Sequence, residues 1–141
     1  MSGLPAALAA AAAAYLDVPF RLHGRSREEG VDCVGLLGCA LADCGHPVTL
    51  PRGYGLRNRH PARHLACFGP AGFVEREPGG TVCAGDVLVV SPGPAQQHLL
   101  IAADGHSFIH AHAGLRRVVR TVAPAEWPVA QHWRLAAAAE R

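Results

Sequence analysis

The chain reads as an α+β domain, helices first and antiparallel strands after. Two alanine- and leucine-rich stretches, residues 5–16 and 33–43, have the composition and the punctuation of helices. From Val82 onward, short apolar runs alternate with turn residues, as strands of an antiparallel sheet do. The 141 residues, 50% of them hydrophobic and 17% charged, are enough for one domain with a core of its own. No internal repeat or inter-domain linker interrupts them, so residues 1–141 are read as a single domain.

The first helix spans residues 5–16 and stops before Pro19. Its apolar stretch resembles a leader, but no Lys or Arg precedes it. It is also shorter than the ~20 residues that cross a bilayer. It is therefore taken as part of the domain, with no membrane span elsewhere. A charged, glycine-rich loop covers residues 20–30. Asp32 caps the second helix, residues 33–43, and Gly45 and Pro47 end it. Residues 49–55, with Tyr54, read as a loop and 61–67 as a short helix. Strands follow at residues 86–90, closed by Ser91-Pro92-Gly93-Pro94, then at 97–102 and 106–112 around Asp104-Gly105. Residues 115–122 and 131–135 complete the sheet, and the alanine-rich tail beyond Leu135 is frayed or helical.

The net charge of +2 comes from scattered basic residues and leaves no nucleic-acid footprint. Arg116, Arg117 and Arg120 form the nearest approach to a cluster and read as a solvated strand face. The five cysteines (Cys33, Cys39, Cys44, Cys67 and Cys83) have irregular gaps and no CxxC pair, which argues against zinc knuckles and redox motifs. The expectation is a reducing compartment, with four of them small buried hydrophobes and one reactive.

Cys33 is that one. At a helix N-terminus, unpaired N–H groups and about half a positive charge face the sulfur and favour thiolate, and a nearby amide can steady an oxyanion. Asp32 opposes this unless its carboxylate turns toward the backbone. Cys39 lies around the far side of the helix and Cys44 about 16 Å along it, so neither shares a site with Cys33.

His98 and His110 lie on the two strands of the hairpin. A three-residue loop of Ala103, Asp104 and Gly105 pairs Ala102 with His106 and His98 with His110. Both rings then stand on one face, with Cβ atoms about 5 Å apart. A two-residue Asp-Gly turn puts them on opposite faces. The longer loop is preferred because it also sets Leu100 and Phe108 on the histidine face and Leu99, Ile101 and Ile109 on the other. Cys33 would then be a nucleophile, His98 its base and His110 the group that fixes the tautomer of His98. His106, His110 and His112 form an HxxxHxH pattern with zinc-like spacing, but no carboxylate or cysteine pattern accompanies it. His23, His46, His60, His64 and His132 carry no spacing signal and are taken as surface or loop residues.

These residues resemble the NlpC-type papain-like cell-wall peptidases, most closely a short branch associated with phage tails. The matching pieces are Pro19-Phe20-Arg21-Leu22-His23, Gly30-Val31-Asp32-Cys33-Val34-Gly35-Leu36, Gly85-Asp86-Val87-Leu88, His98 with its apolar strand, and Phe108-Ile109-His110-Ala111. The resemblance implies a papain-like fold whose cysteine helix packs on an antiparallel sheet carrying the histidines. It implies Cys33 as nucleophile, His98 as base and His110 as third member, with no metal or organic cofactor. It implies hydrolysis of peptidoglycan stem amides, often from D-glutamate to a diamino acid. Phe20 departs from the tyrosine common in the family and cannot give its hydroxyl contact, and His23-Gly24 replaces a glycine pair.

The leading expectation is thus a peptidoglycan peptidase made in the cytoplasm and carried on a phage tail or tail-like particle to the cell wall. Two others stand beside it: a structural tail-tip protein with little activity, and a thiol amidase or acyltransferase acting on another substrate.

Overall fold

A computed structural model describes residues 3–48, 68–69, 71–93, 97–122 and 127–136. Two helices, α1 (Leu4–Ala13) and α2 (Cys33–Asp43), pack together on one face of a sheet. Between them a hairpin of two-residue strands joins β1 (Arg25–Ser26) to β2 (Gly30–Val31). The main sheet contains β3 (Phe73–Arg76), β4 (Val87–Val90), β5 (His98–Ala102), β6 (Ser107–His112), β7 (Arg117–Val122) and β8 (Val129–Leu135). Their spatial order is β3-β8-β4-β5-β6-β7, with every pairing antiparallel. The expected α+β architecture is present.

Alternation along the strands divides the interior into two layers. Val87, Val89, Ile101, Ile109, Ala111 and Val118 join Leu8, Leu36, Leu37 and Leu41 of the helices in the larger one. Leu88, Val90, Leu100, Ala102 and Phe108 form a smaller one on the opposite face, covered by Trp127 and Val129. A sheet buried on both sides explains why β4 is apolar at every position rather than at alternate ones. Two glycines permit close approach. A Cβ on Gly35 would strike the Gly24 carbonyl, and one on Gly85 (φ 87°) would strike the Pro5 carbonyl.

Asp32 caps α2 as expected, its Oδ1 accepting from the Gly35 amide at 2.8 Å. Helix α1 ends earlier than expected. The Tyr15 and Leu16 amides donate three residues back to Ala12 and Ala13, and the Tyr15 hydroxyl donates to Asp43 Oδ2 at 2.6 Å. That bond ties the chain to α2 in place of a further helical turn. Strands β1 and β2 are too short to show a period, and β3 buries one residue of four. Neither signal is readable from pattern alone. The expected loop 49–55, the expected helix 61–67 and the tail beyond Ala136 lie outside the described residues.

The β5–β6 hairpin corrects the expected register. Its partners are Ile101↔Ile109 and Ala102↔Phe108, two residues from the predicted pairing. Asp104 causes the shift: its Oδ1 accepts from the His106 and Ser107 amides, both at 2.8 Å, which extends the turn through His106. An even slip preserves the faces, so His98, Leu100, Phe108 and His110 still share one side.

His132 is also corrected. It is 1% exposed, and its Nε2 lies 2.6 Å from Asp86 Oδ2. Arg134 donates to the same carboxylate through Nε and Nη2, each at 2.8 Å. Among the described cysteines, Cys33, Cys39 and Cys44 are half-buried and Cys83 is exposed, so the expectation of four buried ones fails. Cys39 and Cys44 donate to backbone carbonyls.

Asp86 anchors β4 to β8. Burial alone would raise its pKa, but Arg134, the Cys83 amide and His132 outweigh this and hold it below the usual carboxylate range. The stabilisation from its charge is present above the unfolded-state value near ~4 and is lost as pH falls through the lower folded-state value. Asp86→Asn should cost about 3 kcal/mol in denaturant unfolding at pH 7 and flatten the acid limb below pH ~4. An unchanged midpoint would contradict this role.

Candidate active site

Cys33 is the first residue of α2, and the helix places its sulfur at the end where amides lack intrahelical partners. Three backbone N–H groups favour its thiolate, those of Leu99, Val34 and Cys33 itself. The Leu99 amide among them places the sulfur near β5. Ala102 donates to Asp86 O at 2.8 Å on the β4 side, and Ala103 donates to Ser107 O at 2.9 Å on the β6 side. By alternation the Leu99 amide also faces β6. In this register the next rung after Ile101↔Ile109 would join Leu99 to Ala111, but the β5–β6 ladder has already ended. The Cys33 sulfur lies near that amide, which favours its thiolate. It sits at the splayed edge of β5, one residue from His98.

The two imidazoles bridge the same gap. His98 Nε2 lies 2.8 Å from His110 Nδ1, and the rings meet edge to face. His110 Nε2 lies 2.9 Å from the Thr121 hydroxyl. Trp127 stands edge-on to both rings, with centroids 5.8 Å from His98 and 6.1 Å from His110. A cleft of about 180 Å³ opens here, lined in part by Gln97, His98, His112 and Trp127.

Electrostatically the site rests neutral. Burial, with the Asp32 charge adding to it, pushes the Cys33 thiol up to about 12. The Asp32 carboxylate does turn toward the backbone, accepting from the Gly35 and His23 amides. Its charge nevertheless still reaches the sulfur, so the lowering expected from the helix terminus is overridden. Burial pushes His98 down to about 3, with His110 and His112 adding to it, and His110 down to about 4, with His112 adding to it. Among the described residues no hydrogen bond joins Cys33 Sγ to either ring. His98 therefore keeps Nδ1 unengaged while Nε2 faces His110.

The structure thus unites His98 with His110 and sets Cys33 beside the same strand end. Of the HxxxHxH set, His106 lies in the exposed turn, while His112 is 5.7 Å from His110 by ring centroids. No group of three or more His, Cys, Asp or Glu side chains suited to a metal occurs among the described residues. Sequence reasoning missed the Leu99 amide, Thr121 and Trp127. Only the β6–β7 register, His110↔Val119 and Phe108↔Thr121, puts Thr121 on the histidine face.

Comparison with known proteins shows the same fold. The fold resembles NlpC2 from Trichomonas vaginalis, with TM-score 0.73, 16% identity, and coverage of 95% of this chain and 48% of that one. It resembles the peptidoglycan hydrolase RipB from Mycobacterium tuberculosis, with TM-score 0.62, 17% identity, and coverage of 93% and 63%. It also resembles the NlpC/p60 domain of the peptidoglycan hydrolase SagA, with TM-score 0.60, 21% identity, and coverage of 84% and 88%. The chain spans under half the length of the Trichomonas NlpC proteins it matches. No curated protein matches it in sequence. The NlpC/P60 family model matches residues 17–135, which include Cys33, His98 and His110, and the chain belongs to the NlpC/P60 family.

Proposed function

We propose that this protein is a cysteine peptidase that cleaves amide bonds in peptidoglycan stem peptides, at the bond from D-glutamate to a diamino acid. One observation carries the reading: an imidazole oriented by a second imidazole at 2.8 Å, with a helix-terminal thiol near the neighbouring Leu99 amide. Family membership and peptidoglycan-hydrolase neighbours support the substrate class.

In the proposed reaction His98 Nδ1 takes the Cys33 proton as the sulfur attacks the amide carbonyl. Attack from a neutral pair avoids the cost of a resting buried ion pair. The oxyanion is met by backbone N–H at the start of α2. His98 then returns the proton to the departing amine, leaving a thioester. Water, deprotonated by His98, hydrolyses the thioester and restores the thiol. His110 accepts from His98 Nε2–H throughout and stabilises the transient imidazolium.

Carriage on a phage tail or tail-like particle, with action at the cell wall, belongs to the same proposal and rests on the motif resemblance. A second reading, a structural protein that keeps the fold with little activity, is favoured by the raised thiol and by Phe20.

Purified protein should release new amines from peptidoglycan, and Cys33→Ala should abolish the release. His98→Ala should lower it at least about a hundredfold. Unchanged release from Cys33→Ala would refute the assignment, and no release from the wild type would leave the structural reading standing. In NMR titration His98 and His110 should stay neutral from pH 8 to pH 5. Both folded values lie below the unfolded ~6.5, so the unfolded chain binds more protons in between. Their contribution to stability should therefore fall with pH below ~6.5 and level off near the folded values. Protonation of either ring near pH 6.5 would contradict this.

A further inference from the structure

We infer that Thr121 is a positioning residue that makes available the arrangement in which His98 Nδ1 is free to receive a proton, acting through His110. The inference rests on the proposed peptidase reading for its kinetic consequence but not for its structural content.

Two neutral imidazoles joined Nε2 to Nδ1 share one proton, and the pair has two arrangements. In the first, His98 carries its proton on Nε2 and donates it to His110 Nδ1. His98 Nδ1 is then a bare acceptor, and His110 must carry its own proton on Nε2. In the second, His110 Nδ1–H donates to His98 Nε2, and the proton of His98 moves to Nδ1. Only the first leaves His98 able to take a proton at Nδ1.

The first arrangement requires an acceptor for His110 Nε2–H. His110 is 1% exposed, so solvent does not supply one. The Thr121 hydroxyl, 2.9 Å away, does; in the second arrangement it would instead donate to the bare Nε2, so only its loss penalises one arrangement more than the other. Without it an N–H would be buried unsatisfied, which costs more than burying a bare ring nitrogen. Removing the hydroxyl therefore drives the pair toward the second arrangement. Thr121 touches neither Cys33 nor the cleft beside His98, so its influence passes through His110.

The near-isosteric variant Thr121→Val preserves β-branching on an outer strand, and Thr121→Ser keeps the hydroxyl. Long-range ¹H–¹⁵N spectra at pH 7 report the protonated nitrogen of each ring without reference to activity. Wild type and Thr121→Ser should carry the proton on Nε2 of both rings, and Thr121→Val should move that of His98 to Nδ1. With a synthetic peptide containing a D-glutamyl–diamino acid bond, Thr121→Val should lower kcat roughly ten- to a hundredfold at constant KM. Thr121→Ser should restore most of it. Should Thr121→Val fail to fold, Thr121→Ala serves with the same expectations. His98 protonated on Nδ1 in the wild type, or unchanged tautomers in both hydroxyl-free variants, would overturn the inference. A wild type with the expected tautomers that cleaves no stem peptide would defeat the peptidase reading and leave the tautomer assignment standing.

Discussion

The backbone rung between Leu99 and Ala111 is missing, and the site is built around that gap. Strands β5 and β6 are held together at Ile101↔Ile109 and Ala102↔Phe108 and then separate. A free strand amide at the opening would be a liability inside a folded domain. The Cys33 sulfur lies near it on the helix side, and the His98–His110 bond closes the opening from the other face. An unbroken ladder would have engaged the amide and separated the thiol from the imidazoles by a full sheet. The helix layer fixes the sulfur's position, the small second layer fixes the rings, and the opening joins them.

Burial gives this site its resting state. A thiol and two imidazoles share a space with Trp127 above the rings and apolar layers on both sides of the sheet. Charge of either sign is disfavoured there, more strongly than the helix terminus favours thiolate. A buried ion pair would need hydrogen bonds to all its donors and acceptors, and among the described residues no hydrogen bond links Cys33 to either ring. The resting protein therefore stores neutral groups in a fixed order, and proton transfer coincides with attack on a substrate carbonyl. Asp86, His132 and Arg134 show the contrasting solution in the same molecule: a buried carboxylate kept charged by two side chains and a backbone amide.

Much of this was legible in the residues. The Asp32 cap and the small, aliphatic run after it located α2 to the residue, and with it the helix-terminal sulfur. Alternation placed His98, Leu100, Phe108 and His110 on one face, and that survived an error of two in register because strand parity repeats every two residues. The register itself was not legible, because the turn depends on which amides the Asp104 side chain accepts. His132 was hidden for a similar reason. Its partner lies 46 positions earlier in the chain, and only the β4–β8 pairing joins them. The thiol's pKa direction was misjudged because sequence reveals the helix terminus but not the depth of burial around it. Thr121 had no signal at all until the β6–β7 register was known.

The central claim is that the sulfur at the Leu99 amide and the unengaged nitrogen of His98 can reach one another across the splayed strands. Treatment with 1,3-dibromoacetone, whose two reactive carbons flank a carbonyl, tests this directly when followed by peptide mapping. The account predicts a covalent bridge from Cys33 Sγ to His98 Nδ1, lost in Cys33→Ala. Attachment at Cys33 without any bridge to His98, or a bridge from another cysteine in its place, would contradict it.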